Sequence, residues 1–327
     1  NTDSLLGYSM SLNDIGNILV VGSPGVDKDN NNTNSGVVKI YTWDNDTQWI
    51  QLGQNIYGET LNDKSGTTVS LSHDGSTIAI GIPLTPHTNS NQVRILRWSA
   101  NDNAWTQVGN GINRDGYNNY KRFGYSISLN NSGSIVAIGV PYTADGYDGK
   151  TKVYQYNEST EDWTQLGDTI FGESEDDTYL GDQAGSAVSL SYDGKRIAIG
   201  APNNDAIETN LVGYDPIWIN SGHGRVYEFN DETNNWQKLG NDIDSNIASS
   251  YFGQAISIDA SGTRVAIAGK ATGEIVNSHS EISQDKRFTL SQLLEAGYTT
   301  TQLINAEYSK LEIYNAQIIL SSPTTTL

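Results

Sequence analysis

The feature that most limits the fold of this chain is a motif that recurs five times. Each copy opens on a Gly, alternates small and apolar residues, turns, and continues as an unbroken apolar run. The copies begin at Gly7, Gly66, Gly124, Gly185 and Gly253, so the repeat period is about 60 residues. Units of this size cannot bury their own faces, and they are expected to stack on one another around a shared core.

Each of the first four copies carries the signals of four strands. In the third copy Gly124–Leu129 alternates like a half-buried strand, and Ile135–Gly139 is a continuous apolar run. A second alternating segment, Lys152–Tyr156, and a Trp-led segment, Trp163–Gly167, follow. Four antiparallel strands per unit are typical of a propeller blade. We therefore predict an all-β fold, a β-propeller of about five four-stranded blades, with the recurring Trp packed between blades.

The second half of the fifth copy departs from the pattern. Residues 288–306 have the composition and capping residues of two short helices, and Lys310–Tyr314 resembles a third strand again. We expect three parts: 1–272 with blades one to four and the inner half of blade five, 273–308 as a partly helical insertion, and 309–327 as closing strands and a flexible tail.

Charge and composition exclude several classes of partner. The chain has 38 acidic and 19 basic residues, for a net charge of −19. Nucleic-acid binding requires clustered Lys and Arg, so DNA and RNA are excluded as partners. No apolar run approaches the length of a membrane helix, so no membrane insertion is expected. Without Cys, the chain has no disulfide and no thiolate chemistry.

The repeated motif resembles the FG-GAP repeat of integrin-α-type β-propellers. Phe123-Gly124 and Phe252-Gly253 match the first half of that motif, and Gly200-Ala201-Pro202 matches the second. The resemblance implies a propeller that binds a ligand, although the ligands of such propellers vary. One departure is the connection between the first two strands, which here is a short turn. The Asp-rich calcium loop that the family often has there is therefore not carried over.

The long connections of the predicted blades all emerge at one end of the sheets, because the strands alternate in direction. We call this the loop end. Its loops differ between copies, and binding residues commonly lie on such loops. The loop end comprises residues 25–36, 58–65, 83–91, 111–122, 142–150, 172–184, 203–223 and 241–251.

Acidic and amide side chains stand beside aromatic ones at the loop end, a mixture that suits a protein or carbohydrate ligand. Several of them occupy equivalent loops and are expected to converge near the propeller axis. The candidate ligand-binding residues are Tyr142, Asp145, Tyr147, Asp148, Asn203, Asn204, Asp205 and Trp218.

One loop is a candidate calcium site. Asp27, Asp29 and Asn31 place oxygen ligands at alternate positions, as calcium loops do. The closing Glu of an EF-hand is missing, so a solvated polar turn is the alternative interpretation.

Four Asn residues head Asn-x-Ser/Thr sequons in predicted turns or loops, where glycosylation occurs. They are Asn31, Asn45, Asn130 and Asn157. The sequons favour an extracellular location, either secreted or on the surface of a cell or particle.

The leading functional hypothesis is a non-enzymatic binding or adhesion module of such a surface. The four His residues, at positions 73, 87, 223 and 279, fall at unrelated repeat positions, and no nucleophile or metalloprotease motif is present. Two alternatives stay open. One is a structural subunit of an extracellular filament that binds copies of itself, and the other is a glycoside-active propeller enzyme with paired carboxylates.

Overall fold

The computed structural model of the chain describes residues 5–29, 33–44, 48–83, 92–113, 122–142, 148–173, 181–204, 221–245 and 250–269. The chain divides into two compact units, Asn1–Lys270 and Ala271–Leu327. The second unit lies outside the described residues, and so do the predicted helical insertion and closing strands.

The described residues form five antiparallel sheets, one for each copy of the motif. The first contains β1 (Ser9–Leu12), β2 (Ile18–Ser23), β3 (Val37–Trp43), β4 (Trp49–Gln51) and β5 (Ile56–Tyr57). The second contains β6 (Thr68–Leu71), β7 (Thr77–Gly81), β8 (Val93–Ser99) and β9 (Ala104–Gln107). The third contains β10 (Ser126–Leu129), β11 (Ile135–Val140), β12 (Lys150–Asn157), β13 (Asp162–Gln165) and β14 (Ile170–Phe171).

The last two sheets repeat this order. The fourth contains β15 (Ala187–Leu190), β16 (Arg196–Ala201), β17 (His223–Asn230), β18 (Asn235–Lys238) and β19 (Ile243–Asp244). The fifth is described for two strands, β20 (Ala255–Ile258) and β21 (Val265–Ala268). Each of the first four sheets runs in chain order from its first to its fourth strand, as expected for a blade.

Successive sheets pack against one another through their first strands, in the order β1, β6, β10, β15 and β20. Three apolar clusters form the core. Each joins neighbouring sheets, the first against the second, the second against the third, and the third against the fourth. The core therefore lies between blades, because a single blade has apolar residues on both faces.

In the second, third and fourth sheets the recurring Trp joins the outer strand to the preceding sheet by a hydrogen bond. The indole N–H groups donate to backbone carbonyls of the sheet before: Trp105 to Leu52 (3.0 Å), Trp163 to Val108 (2.9 Å) and Trp236 to Leu166 (2.9 Å). All three side chains are buried. The prediction that these Trp residues pack between blades is confirmed.

The all-β, propeller-type architecture is likewise confirmed, while the number of blades in the ring and the helical insertion remain predictions. None of the described residues belongs to a helix long and apolar enough to cross a membrane.

Candidate ligand site at the loop end of the fourth sheet

Three separate segments meet at the loop end of the fourth sheet. The connection from the third sheet brings Glu173, directly after β14, and Asp182, shortly before β15. His223 begins β17, and Asp244 lies opposite it on the short strand β19. Asp242 immediately precedes β19. We call these five residues the His223 cluster.

The imidazole at the centre of this cluster is special to the fourth sheet. His223 pairs with Ala201 at the end of β16, and the equivalent residues of the other sheets are Val37, Gln92 and Lys150. Its side chain is 2% exposed. Nδ1 lies 3.8 Å from Oδ1 of Asp244, whose side chain is half exposed. The imidazole thus faces a carboxylate that solvent and ligands can reach.

Two overlapping sets of ligand atoms share this imidazole. Glu173, Asp182 and His223 form one set, and His223, Asp242 and Asp244 form the other. Within each set the candidate ligand atoms all lie within 4.8 Å of one another. One nitrogen and several carboxylate oxygens at this spacing are a donor set that divalent transition metals accept.

Two cations already neutralise part of the cluster. Arg225 donates from Nε and Nη2 to the two carboxylate oxygens of Asp242, at 3.0 Å each. It also pairs with Glu173, and Lys238 pairs with Asp242. A metal ion would have to compete with Arg225 for Glu173 and Asp242. At Asp182 it would compete with the backbone N–H of Glu173 (2.8 Å) and the side-chain amide of Asn204 (3.2 Å).

The protonation states follow from this arrangement. Burial lowers the pKa of His223, although the charges of Asp242 and Asp244 act in the opposite direction, so the imidazole is neutral at pH 7. Burial alone would raise the pKa of Asp242, but the hydrogen bond from Lys238 and the charge of Arg225 outweigh it and lower that pKa. A neutral imidazole beside ionised carboxylates can bind a metal or accept a proton.

Two of the predicted ligand-binding residues adjoin the cluster through Asp182. Asn204 is buried and donates from Nδ2 to Oδ1 of Asp182 (3.2 Å), and the backbone N–H of Asn203 donates to the carbonyl of Asp182 (3.2 Å). Asn203 and Asn204 thus hydrogen-bond to Asp182 and belong to neither set of ligand atoms.

Two of the other predicted ligand-binding residues are described. Tyr142 stacks under the guanidinium of Arg122, 4.6 Å from the ring centre. The carbonyl of Asp148 accepts the N–H of Ala184 (2.9 Å). Asp145, Tyr147, Asp205 and Trp218 lie outside the described residues.

The predicted calcium loop is described only in part. Oδ1 of Asp27 accepts the backbone N–H of Asn34 (2.7 Å), which closes the loop. Asp29 is exposed, and Asn31 lies outside the described residues. Calcium at this loop remains a prediction.

The four sequons differ in their surroundings. Asn130 is 5% exposed, and its side-chain oxygen accepts the N–H of Ile135 (2.9 Å), so this amide holds a turn and leaves no room for a glycan. Asn157 is partly exposed and caps a surface turn through Ser159. Asn31 and Asn45 lie outside the described residues.

Sequence reasoning placed the His223 cluster within the loop end but did not identify its members. A signal was available, since His223 replaces the Val, Gln or Lys of the other copies at one repeat position. Arg225 gave no such signal, because Lys39, Arg94 and Lys152 occupy the same position in the other sheets.

Comparisons with known proteins support the fold and nothing finer. No protein-family model and no curated protein sequence matches the chain. It is similar to the structure of periplasmic gluconolactonase from Pseudomonas aeruginosa, with a TM-score of 0.50 and 17% identity over 80% of this chain and 64% of that one. It is also similar to Kuenenia stuttgartiensis hydrazine synthase, with a TM-score of 0.47 and 13% identity over 79% and 60%. The chain thus spans less than two thirds of either protein.

The prediction that the chain is not an enzyme is wrong, because the similar structure with a TM-score of 0.50 is that of an enzyme, a gluconolactonase. At this level of identity the similarity concerns the fold alone, so it assigns no reaction to this chain. The fold is nevertheless no argument against catalysis. The positions of the four His residues are no argument against catalysis either, since His223 lies at the centre of an acidic cluster.

Proposed function

We propose that this chain is a binding module of a cell or particle surface that holds its ligand through a divalent cation at the His223 cluster. The observation that carries the proposal is the buried neutral imidazole within reach of two pairs of carboxylates. An imidazole is a polar group that costs free energy to bury, and Val serves at the same place in the first sheet.

The donor set favours a transition metal over calcium. Calcium takes oxygen ligands almost exclusively, while zinc and manganese combine imidazole with carboxylates. Asp182 belongs to one set of ligand atoms around His223 and Asp244 to the other. Because the side chain of Asp244 is half exposed, a cation bound in the second set would keep open positions toward the solvent. A protein or carbohydrate ligand would supply oxygen atoms to those positions.

Titration calorimetry of the full chain with ZnCl₂, MnCl₂ and CaCl₂ tests the cation site. We expect zinc or manganese to bind more tightly than calcium. The variants His223→Gln and Asp244→Asn should each weaken binding roughly tenfold or more, since each removes one ligand. Asp231→Asn is the matched control, because it removes one carboxylate from the far end of the same sheet. Equal binding by His223→Gln and the unmodified chain would refute the site.

A hydrolase is the second candidate function. Carboxylate oxygens of Glu173 and Asp182 lie within 4.8 Å of each other, close to the separation of about 5–5.5 Å that retaining glycosidases use. Release of chromophore from aryl glycosides tests this alternative. Activity that Asp182→Asn abolishes and Asp231→Asn retains would support it, and no turnover across a substrate panel would exclude it.

The remaining parts of the proposal concern the class and location of the protein. The FG-GAP motifs support membership of the integrin-α-type propellers, with a ring of about five blades and a helical insertion at 273–308. The sequon at Asn157 supports an extracellular location. Mass spectrometry of the protein secreted from a eukaryotic host should find a glycan at Asn157 and none at Asn130.

A further inference from the structure

The outer edges of two neighbouring sheets are joined by a pair of an amide and a carboxylate side chain. Between the second and third sheets, Asp162 accepts two hydrogen bonds from Asn110, one from its backbone N–H (3.0 Å) and one from its Nδ2 (2.9 Å). Asn110 lies shortly after the fourth strand of the second sheet, and Asp162 begins the fourth strand of the third. Because the partners belong to different sheets, the pair helps to hold these sheets together at their outer edge.

The next pair of sheets has the same arrangement with its members exchanged. Between the third and fourth sheets, Asp168 stands at the repeat position of Asn110, and Asn235 at that of Asp162. Nδ2 of Asn235 donates to Oδ2 of Asp168 (2.6 Å), and Oδ1 of Asn235 accepts the backbone N–H of Asp168 (2.9 Å). Both places thus combine one amide with one carboxylate, since two carboxylates at this distance would repel each other.

Asn110 differs from Asn235 in the residue that follows it. Asn110 and Gly111 form the one Asn-Gly dipeptide of the sequence, whereas Asn235 precedes Trp236. Gly has no Cβ, so its backbone is conformationally free and no side chain shields its nitrogen from the preceding residue. Asn110 is exposed, and within the described part of the chain the N–H of Gly111 makes no hydrogen bond. The side-chain amide and the following backbone nitrogen are therefore open to reaction with each other and with water.

We propose that Asn110 is a deamidation site, and that its slow conversion to a carboxylate weakens the contact between the second and third sheets. The backbone nitrogen of Gly111 attacks Cγ of Asn110, a C–N bond forms in a succinimide ring, and the side-chain nitrogen leaves as ammonia with the proton of the Gly111 N–H. Water then adds to one of the two ring carbonyls and opens the ring to aspartate or isoaspartate. The reaction consumes one water and releases one ammonia, and nothing is oxidised or reduced.

The product places a second carboxylate against Asp162. The hydrogen bond from the side-chain amide of Asn110 is the main cause that lowers the pKa of Asp162. Deamidation removes this donor and adds a negative charge in its place. The carbonyl of Val108, two residues before Asn110, accepts the indole N–H of Trp163 (2.9 Å). The weakened pair therefore adjoins the other hydrogen bond that joins these two sheets at their outer edge.

Peptide mapping by mass spectrometry tests the reaction in the folded chain. The protein is incubated in mildly alkaline buffer, sampled over several weeks and digested, and isoaspartate is labelled with an isoaspartyl methyltransferase. We expect Asn110 to deamidate several-fold faster than Asn235, which makes the same kind of pair, and Gly111→Ala to slow the reaction at Asn110 several-fold. Equal rates at Asn110 and Asn235, or a Gly111→Ala variant that reacts as fast as the unmodified chain, would overturn the proposal.

Urea denaturation tests the effect of the product on the contact between the sheets. Asn110→Asp reproduces the aspartate product, and Asn235→Asp brings two carboxylates together between the third and fourth sheets. At pH 7 both variants should unfold at a lower urea concentration than the unmodified chain. Asn101→Asp is the matched control, because it adds the same charge in an exposed turn of the second sheet. The control should shift the unfolding midpoint far less than either of the other two variants.

The midpoint shift of Asn110→Asp should shrink as the pH is lowered. Two carboxylates at this separation take up a proton more readily than isolated ones, so the folded variant binds more protons than the unfolded variant. Its free energy of unfolding, relative to the unmodified chain, therefore rises as the pH falls toward the ordinary pKa of Asp, about 3.9. A shift no larger than that of Asn101→Asp, or one that stays constant with pH, would show that the pair does not hold the sheets together.

Discussion

His223 shows how one residue in a repeated position changes the chemistry of a sheet edge. Its counterparts do not titrate near neutral pH, whereas an imidazole does. Burial lowers the pKa of His223, so the folded protein keeps this imidazole neutral at a pH where the unfolded chain takes up a proton. The same burial that makes the group a competent metal ligand therefore couples folding to pH.

Protonation of the unfolded chain should destabilise the protein below the ordinary pKa of His, about 6.5. The unfolded state binds more protons than the folded state there, so the free energy of unfolding falls as the pH drops from about 6.5 toward 5 and is unaffected by this group above that range. The depressed pKa of Asp242 acts at more acidic pH, because its stabilisation is lost only as that carboxylate becomes protonated. We expect His223→Gln to flatten the decline between pH 6.5 and 5.

Urea denaturation followed by circular dichroism at several pH values measures this slope. His73→Gln is the matched control, since His73 lies at the opposite end of the second sheet and pairs with Asp14 at the surface. The slope of the control should resemble that of the unmodified chain. An unchanged slope in His223→Gln would show that the buried imidazole does not account for the acid sensitivity.

In the second, third and fourth sheets one indole joins the fourth strand to the preceding sheet. This strand is short, and its remaining outward residues are exposed, as in β13 and β18. The bond from Trp236 to the carbonyl of Leu166 joins this strand to the preceding sheet. An outer strand with so little buried surface depends on that connection.

Replacing this indole by a phenyl ring should separate the hydrogen bond from the packing. Trp236→Phe leaves the Leu166 carbonyl without its partner and should lower the free energy of unfolding by about 1–3 kcal/mol. Trp49→Phe should cost much less, because Trp49 is part-exposed and its N–H has no acceptor among the described residues. Chemical denaturation measures the loss of unfolding free energy in each of the two variants. Equal losses would contradict the role of the hydrogen bond from Trp236 to Leu166.

The five sheets form a series in which neighbouring sheets pack through their first strands, and the chain as a whole has a net charge of −19.

Most of the architecture was predictable because its signals are local. Alternation along Gly124–Leu129 and the apolar run that follows define a strand pair without reference to the rest of the chain. The recurrence of Trp at one place in each unit likewise predicted a contact between blades, which Trp163 makes with Val108. Repetition also predicted which ends of the sheets carry long loops.

The members of the candidate site were not predictable in this way. Glu173, His223 and Asp244 come from three separate segments of the chain, and of these only His223 was singled out above by its repeat position. Tyr142 and Asp148 were predicted from their residue types and their equivalent loops; the structure places Tyr142 beside Arg122 and the carbonyl of Asp148 against the N–H of Ala184, and their role in ligand binding remains a prediction.

The amino-acid sequence by itself determined that this chain forms stacked antiparallel sheets, since strand pairing follows from a period of two residues repeated five times. Only the tertiary structure decided which loop residues meet around His223. The reason is physical: a strand's faces follow from local alternation, whereas the meeting of loop side chains depends on how neighbouring sheets are placed against each other.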